Sequence, residues 1–363
     1  MRAAAITAPG RVEVVEQVRP HAAGDLVVVK VLVAPMCTEF KNRKAGVVSQ
    51  SVGHEGAGVV VDAGTSHRVR VGDRVVVMPH YGCGFCIECT SGDHMHCQNQ
   101  RDVLGETGQP HGTGGYAEYV LKPDWLLAPV PEDVSLKHAA LTCCGLGPTF
   151  AALQRMHVGA LDTLLVSGCG PVGLGAVIQG VVRGARVLAV ETHPYRARLA
   201  SELGAERVIN PLTEDVAAVV HELTGGVGAD AGVETSGAPT AARTLALSAR
   251  RRGQLCFISW NDIELPALVP LGLTLHGIWH WNHLTMAPAM WATVRKAGAL
   301  LDAQVTHVVP LADVAAAMDL QDTGACGKVF LLPHGPVEGA PELQPIPDLP
   351  AEPLPATPTS LGA

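Results

Sequence analysis

The sequence has few aromatic residues, few charged residues and no long apolar run. Aromatic side chains make up 4% of its 363 residues and charged side chains 17%, against 47% hydrophobic residues, which excludes a disordered chain and predicts a globular one. No uncharged stretch reaches the ~18–20 apolar residues of a membrane span. No run of lysine and arginine is of the kind that suits an anionic membrane, and the formal net charge is −8. We therefore expect neither a nucleic acid nor a membrane as partner.

The N-terminal segment lacks the pattern of a secretion signal. Residues 1–5 lead directly into an alternating strand pattern, without a charged segment followed by an apolar one. We therefore expect a cytoplasmic protein. In that compartment its ten cysteines are expected to be metal ligands or core residues rather than disulfides.

Two patterns divide the chain and predict two folded domains. Residues 1–153 consist of short β-rich segments bounded by Gly, Pro or Asp, which is typical of an irregular β domain. Strand-like and helix-like segments alternate over 154–285, which predicts a doubly wound parallel sheet. Residues 286–332 end in a strand-like segment and are expected to return to the β-rich domain. The proline-rich segment 333–363 is predicted to be a disordered tail.

A cysteine-rich lobe, residues 83–97, carries the most specific motif. Its cysteines follow the spacing C-x2-C-x2-C-x7-C: Cys83, Cys86, Cys89 and Cys97. Four thiolates suit tetrahedral zinc and leave no open coordination position, so the predicted site is structural. Two disulfides or free thiols are the alternative, and the spacing fits known iron–sulfur motifs poorly. His94 and His96, which lie between ligands, are interpreted as bystanders.

A second set of potential ligands is dispersed along the chain. Cys37 follows a predicted strand, His54 and Glu55 precede another, and the pair Cys143-Cys144 lies just before the domain change. A mixed set of three protein ligands is typical of a catalytic zinc, which keeps a position for water or substrate. The residues are far apart in sequence, however. A buried cysteine is more often a small hydrophobic residue, and a lone histidine is more often part of the core.

A glycine-rich turn predicts a dinucleotide site. The motif G-x-G-x-x-G follows the strand-like segment 164–166 and opens the helical segment 172–182. Glu191 ends the next strand, 186–190, where an acidic side chain accepts hydrogen bonds from the ribose and favours NAD over NADP. Arg196, one helical turn on, either reaches the cofactor or is solvated. The predicted NAD-binding residues are Gly168, Gly170, Pro171, Val172, Gly173, Glu191 and Arg196.

In this order, the motifs resemble those of the zinc-containing medium-chain dehydrogenase/reductase family, which includes alcohol, sorbitol and threonine dehydrogenases. The resemblance covers about residues 1–332. It rests on Gly53-His54-Glu55-x2-Gly58-x5-Gly64, the cysteine lobe, Gly114-Gly115-Tyr116-Ala117-Glu118-Tyr119 and the glycine-rich turn. It implies an α/β protein with a Rossmann domain and a β-rich, GroES-like catalytic domain.

The resemblance also implies a catalytic site. The zinc ligands of the family correspond to Cys37, His54 and Cys144, with Cys143 as the second choice for the third ligand. Glu55 corresponds to a carboxylate that can approach the metal.

The segment Cys37-Thr38-Glu39-Phe40-Lys41 departs from the family pattern, as if one residue were missing after the cysteine. On that reading the Thr38 hydroxyl relays the alcohol proton and the Glu39 carboxylate holds His54. Lys41 relays a proton, binds an anionic substrate group, or is solvated.

The activity implied is hydride transfer between NAD and a secondary alcohol, such as a polyol or cyclitol, giving a ketone or aldehyde. One catalytic and one structural zinc are expected per subunit.

His280 and Asn282, in an unusual aromatic segment, either contact substrate hydroxyls beside a tryptophan or belong to a core or interface cluster. Strand 273–278 is a plausible pairing edge of a homodimer or homotetramer. The alternatives are a reductase of enones or quinones without catalytic zinc, and a non-catalytic NAD-binding zinc protein.

Overall fold

The computed structural model describes residues 1–260, 262–266, 268–344 and 346. The strands are β1 (Arg2–Ala8), β2 (Arg11–Glu16), β3 (Leu26–Pro35), β4 (Gly56–Asp62), β5 (Arg74–Val77), β6 (Tyr119–Pro123), β7 (Leu127–Pro129), β8 (Thr163–Ser167), β9 (Arg186–Val190), β10 (Arg207–Ile209), β11 (Ala229–Glu234), β12 (Ala249–Phe257), β13 (Thr274–Gly277), β14 (Val305–Pro310) and β15 (Lys328–Leu332). The helices are α1 (Glu39–Lys44), α2 (Ile87–Thr90), α3 (Val103–Thr107), α4 (Leu136–Leu141), α5 (Gly147–Arg155), α6 (Pro171–Val182), α7 (Pro194–Glu202), α8 (Val216–Leu223), α9 (Ala241–Ser248), α10 (Leu268–Leu271), α11 (His283–Ala297), α12 (Ala299–Gln304) and α13 (Val314–Thr323). Short 3-10 turns occupy His94–His96, Asp124–Leu126 and Leu311–Asp313.

A parallel sheet is formed in the order β10-β9-β8-β11-β12-β13. Its central strand β8 is an apolar run whose Leu164, Leu165 and Val166 are at most 1% exposed, because helices cover both faces of such a sheet. The chain moves outward from β8 to β9 and β10, then returns to β11 on the other side of β8. The order therefore reverses between β8 and β11, which is where doubly wound sheets bind nucleotides.

A mainly antiparallel sheet has the order β14-β15-β3-β4-β5-β7, with β6 also paired to β3. The C-terminal strand β15 pairs with β3 through Phe330–Pro35 and Leu331–Ala34. The chain therefore returns to its N-terminal part after the parallel sheet. Together the two sheets confirm the predicted fold class, a Rossmann sheet with a β-rich second part.

The two sheets share one apolar core. A single cluster of buried side chains extends from Val76 in β5 through Leu141 and Phe150 to Leu164 in β8 and Leu174 in α6. α6 also packs against α5 and α11. The loops at the ends of both sheets are held by this shared core.

The first part of the predicted tail contacts the rest of the chain. Pro333 accepts a hydrogen bond from Arg2 at 3.0 Å, and the backbones of Gln344 and Val308 exchange two hydrogen bonds of 2.8 Å. Ala340 also packs against the core cluster, so this segment gains contacts that its proline-rich composition does not reveal. The rest of the predicted tail, residues 345 and 347–363, lies outside the described residues. Among the described helices, none has the length and apolarity required to cross a bilayer.

Candidate active site

The dispersed ligand set converges on one point. Cys37 follows β3, His54 and Glu55 precede β4, and Cys144 lies between α4 and α5. Their potential ligand atoms all lie within 4.8 Å of one another. The His54 Nε2 is 3.2 Å from the Cys144 Sγ and 4.0 Å from a Glu55 oxygen. Two thiols, an imidazole and a carboxylate are the donors that zinc prefers, so the residues fit a catalytic zinc.

Glu39 orients the imidazole of His54. Its Oε1 lies 2.6 Å from the His54 Nδ1, and its Oε2 accepts hydrogen bonds from the Tyr116 hydroxyl at 2.6 Å and the Cys37 N–H at 3.1 Å. Burial raises the pKa of Glu39, but the His54 imidazole and the Tyr116 hydroxyl lower it to about 2. A carboxylate at the Nδ1 fixes the proton on that nitrogen and leaves the Nε2 free to bind metal. The contact predicted for Glu39 is thus present, and Tyr116 is a partner that the sequence analysis missed.

Glu55 forms a buried ion pair with Lys328. The distance is 2.7 Å and both side chains are 0% exposed. Burial raises the pKa of Glu55 to about 7, while the Lys328 ammonium opposes this rise. The second Glu55 oxygen accepts the Cys144 N–H at 3.2 Å, so the pair also holds the loop that carries Cys144. Lys328 is not among the predicted site residues, although a lysine that opens the apolar run of β15 is a signal for a buried partner.

Cys144, rather than Cys143, faces His54. The Cys143 Sγ points to the Val77 carbonyl at 3.7 Å and lies in a different group, with Cys144 and His280. A hydrogen bond from Cys144 lowers the pKa of Cys37 well below its usual value, which favours a thiolate. Thr38 is exposed, and its hydroxyl makes no hydrogen bond within the described part of the chain.

The cysteine lobe brings four sulfur atoms together. Cys83 and Cys89 have sulfurs 3.9 Å apart, and those of Cys86 and Cys97 are 3.8 Å apart. Sulfurs in a disulfide are about 2.0 Å apart, whereas a tetrahedron with Zn–S distances of about 2.3 Å has edges of about 3.8 Å. The four thiols therefore fit a structural zinc. His94 lies between them, is fully buried, and belongs to no ligand group among the described residues.

The glycine-rich turn joins β8 to the N-terminus of α6. Gly168 has φ +87°, and a Cβ on Gly173 would lie 1.8 Å from the Gly168 carbonyl oxygen, so both positions require glycine. Gly170 is the N-cap of α6 and Pro171 its first residue. A Cβ on Gly170 meets nothing within 4 Å. Open space thus lies before a helix N-terminus, as a pyrophosphate requires.

Glu191 and Arg196 border this turn. The Glu191 carboxylate accepts the N–H groups of Cys169 at 2.7 Å and of Thr192 and His193 at 2.8 Å. These bonds fix the carboxylate beside the glycine-rich turn. The Arg196 Nε donates to the Cys326 carbonyl at 3.4 Å, which ties α7 to the loop before β15.

A cavity of about 280 Å³ opens beside His54 and is called the His54 cavity. His54, His80, Tyr81, Gln100 and Lys122 line it, and the remaining lining residues are glycine, valine and threonine. Of these, only His54 belongs to the predicted site. The other polar side chains were not predicted from the sequence, because they come from loops and a strand without a motif.

The aromatic segment near residue 280 is mainly structural. Asn282 caps α11, with its Oδ1 3.2 Å from two backbone N–H groups, and its Nδ2 donates to the Ser91 carbonyl at 2.6 Å. Trp281 is 1% exposed and packs on Phe150. Trp281 thus belongs to the core and Asn282 serves as a helix cap, while Trp279 packs against the imidazole of His80, with ring centroids 5.0 Å apart.

Comparison with known families matches two parts of the chain. A model described as "Zinc-binding dehydrogenase" matches residues 171–298, and "Alcohol dehydrogenase GroES-like domain" matches 45–132. An L-threonine 3-dehydrogenase of Caldanaerobacter subterraneus subsp. tengcongensis is 32% identical over 298 residues, which are 78% of this chain and 82% of the relative. The chain belongs to the zinc-containing medium-chain dehydrogenase/reductase family.

Further relatives and solved structures are similar to this chain in sequence or in fold. An L-threonine 3-dehydrogenase of Bacillus subtilis is 32% identical, over 77% of this chain and 81% of the relative. An alcohol dehydrogenase from Thermus sp. ATN1 superimposes with a TM-score of 0.82 at 25% identity, covering 92% of this chain and 99% of that one. For a 2R,3R-butanediol dehydrogenase from Bacillus subtilis the TM-score is 0.77, again at 25% identity and with coverages of 92% and 99%.

Proposed function

We propose that this chain is a zinc-dependent, NAD-linked dehydrogenase that oxidises a secondary alcohol to the ketone. The observation that carries the proposal is the convergence of Cys37, His54 and Cys144 beside the His54 cavity. The relatives named as threonine, alcohol and butanediol dehydrogenases support the same reaction. A reductase without catalytic zinc, or a protein without turnover, would not need a complete set of catalytic zinc ligands beside this cavity. We keep polyols, cyclitols and similar secondary alcohols as the substrate class.

In this proposal Cys37, His54 and Cys144 hold the catalytic zinc. A zinc ion supplies a Lewis acid that lowers the pKa of a bound alcohol, and NAD supplies the hydride acceptor. Glu39 keeps the His54 Nε2 directed at the ligand cluster. Glu55, 4.0 Å from that nitrogen and paired with a lysine, supplies a carboxylate that can approach the metal.

The alcohol proton is proposed to leave through Thr38. Thr38 is exposed and lies next to Cys37 at the start of α1, so its Oγ1 can pass a proton to solvent. Lys41 is also exposed, which supports its interpretation as a solvated side chain.

We assign NAD to the glycine-rich turn. Gly168, Gly170 and Gly173 shape the turn. Pro171 opens α6 and has no N–H, so the Val172 N–H is the first donor of the helix that faces the pyrophosphate. Glu191 is assigned to the ribose hydroxyls, where its charge repels a 2′-phosphate. Arg196 is assigned to the edge of the same site. The open space before α6 supports this placement.

The domain division, location and assembly are part of the proposal. We assign residues 1–153 and 286–332 to the catalytic domain and 154–285 to the Rossmann domain. All ten cysteines are outside disulfides, which supports a cytoplasmic location. β13 is the last strand of the parallel sheet and mainly exposed, which supports pairing with a second copy in a homodimer or homotetramer.

The test is NADH formation by purified, zinc-loaded protein with a panel of secondary alcohols, polyols and cyclitols, using NAD and NADP in parallel. We expect turnover with NAD and two zinc ions per chain. Cys37→Ser should lose turnover and one zinc but still bind NAD. Cys256→Ser, which removes a buried thiol outside both clusters, is the control and should keep both zincs. Full activity and two zincs in Cys37→Ser would overturn the catalytic assignment.

A further inference from the structure

Lys122 places a cation in the His54 cavity. The residue lies in β6, is 3% exposed, and lines the cavity that His54 also lines. Its ammonium donates to the carbonyl of His80 and lies 3.8 Å from the ring centroid of Tyr81. The Tyr81 hydroxyl donates to the Leu121 carbonyl at 2.7 Å, so this ring is fixed in place.

The charge of Lys122 has no anionic partner. No carboxylate lies within salt-bridge distance of its Nζ in the described part of the chain. An ammonium has three donors, and here one goes to the His80 carbonyl and another approaches the face of Tyr81. Lysine is almost never fully buried without a partner, since burial removes the hydration of the charge. Burial accordingly lowers the pKa of Lys122 to about 7.

The rest of the cavity supports an anionic ligand. Gln100 and His80 are neutral donors or acceptors joined by a hydrogen bond of 3.2 Å, and none of the described lining residues carries a carboxylate. A ligand carboxylate or phosphate would therefore meet a cation and neutral groups. A ligand ammonium would meet Lys122 with nothing to compensate it.

We propose that Lys122 binds a compact anionic group of the substrate, a carboxylate or a phosphate, while the substrate hydroxyl lies at His54. The inference rests on the proposed dehydrogenase function and narrows its substrate class to small hydroxy acids or phosphorylated alcohols. It also separates this chain from the relatives named for L-threonine, because the ammonium of an amino acid has no anionic partner among the described residues that line this cavity.

The test compares charged alcohols with neutral counterparts of the same shape. The pairs are 3-hydroxybutyrate with 3-hydroxybutyramide and glycerol 3-phosphate with glycerol, and threonine is a third arm. We expect wild-type protein to prefer the anion of at least one pair by tenfold or more in kcat/KM. In Lys122→Met this ratio should fall at least tenfold, mainly through KM, and Lys122→Arg should keep part of it. The carboxylate and phosphate pairs distinguish the two anion types.

Lys44→Met is the matched control, since its side chain is 61% exposed in a surface ion pair and its loss should leave the ratio unchanged. Wild-type preference for the neutral partner in both pairs would overturn the proposal, as would an unchanged ratio in Lys122→Met. Faster oxidation of threonine than of 3-hydroxybutyrate would contradict the inference that this cavity disfavours a substrate ammonium group.

A binding measurement separates this inference from the function on which it rests. Calorimetric titration of the zinc-loaded protein with butyrate and butyramide needs no turnover. Lys122→Met should weaken butyrate binding at least tenfold and leave butyramide binding unchanged. If no alcohol is oxidised but this loss is observed, the dehydrogenase proposal fails and the anion site stands. If neutral alcohols are oxidised and butyrate binding is unaffected, the anion site fails alone.

Discussion

The Glu39 Oε1 lies 2.6 Å from the His54 Nδ1, although the family pattern places one more residue between the equivalents of Cys37 and this carboxylate than this chain has. Glu39 opens α1, and the short connection from β3 still lets its side chain reach both His54 and the Cys37 N–H. The shortened segment therefore keeps the carboxylate–histidine contact that orients a metal-binding imidazole.

Glu39→Gln should weaken zinc binding at the catalytic site by about 10- to 100-fold, because the amide lacks the charge that fixes the His54 tautomer. Titration of the zinc-loaded protein with a chelator measures this as earlier loss of one of two zincs. Glu202→Gln, on the exposed side of α7, should leave both affinities unchanged. Equal zinc retention in Glu39→Gln and wild-type protein would show that Glu39 has no part in the metal site.

Gly170→Ala and Gly173→Ala should separate cofactor binding from folding. The methyl group of the first meets no atom within 4 Å, so its unfolding temperature should match wild type, while its affinity for NAD falls about tenfold or more. In the second, the methyl group lies 1.8 Å from the Gly168 carbonyl oxygen, so the turn must move, at a cost of about 1–3 kcal/mol in unfolding free energy. Thermal unfolding and calorimetric titration with NAD measure both effects. Unchanged NAD affinity in Gly170→Ala would move the pyrophosphate elsewhere.

Lys328→Met should lower the unfolding free energy by about 3–5 kcal/mol, because it leaves the buried Glu55 without its cation. The double variant Glu55→Gln, Lys328→Met should recover a large part of that loss, since the unpaired charge is gone. Urea denaturation of the zinc-loaded proteins gives the coupling between the two positions. Additive losses would mean that the 2.7 Å contact contributes no interaction energy of its own.

Lys122 should make stability depend on pH in the alkaline range. Its pKa is about 7 in the folded protein and about 10.4 in an unfolded chain, so between these values the unfolded chain binds more protons. The contribution of Lys122 to the unfolding free energy therefore rises with pH. Below pH 7 the buried charge destabilises the fold by its full amount, and this penalty disappears as pH rises through the range.

The expected result is that Lys122→Met is more stable than wild-type protein near pH 7, and that the difference shrinks toward pH 10. The titratable groups around the ammonium, His80, His94, Tyr81 and Cys143, are the same in both proteins, so their effects largely cancel. Unfolding midpoints across this range provide the measurement. If the stability difference between Lys122→Met and wild-type protein does not change with pH, Lys122 is not a buried lysine with a lowered pKa.

The parallel sheet was the most predictable part of the fold. Its strands are short apolar runs bounded by glycine or charge, so the predicted segment 186–190 coincides with β9, and the predicted helix 172–182 differs from α6 by one residue. The beginning of β12 is harder to recognise in the sequence, because it contains Arg250, Arg251 and Arg252 rather than apolar residues. Patterns of burial thus reveal central strands better than partly exposed ones.

Site residues that belong to a local sequence motif could be predicted, whereas residues that reach the site only through tertiary contacts could not. His54 and the cysteine lobe have local signatures, whereas Lys328 reaches Glu55 across 273 positions in the sequence. Lys122 is one lysine in an otherwise apolar strand, and only the fold places it beside His54. Asn282 shows the opposite case, since a polar residue next to Trp281 suggests substrate contact but serves as a helix cap.

The most direct test of the dehydrogenase account is the transfer of deuterium from the alcohol to the cofactor. Zinc-loaded protein is supplied with NAD and a secondary alcohol deuterated at its carbinol carbon, and the reduced cofactor is examined by mass spectrometry. We predict one deuterium per reduced nicotinamide and no product in Cys37→Ser. Reduced cofactor without deuterium, or no oxidation of any alcohol by protein that binds NAD and two zincs, would contradict the account.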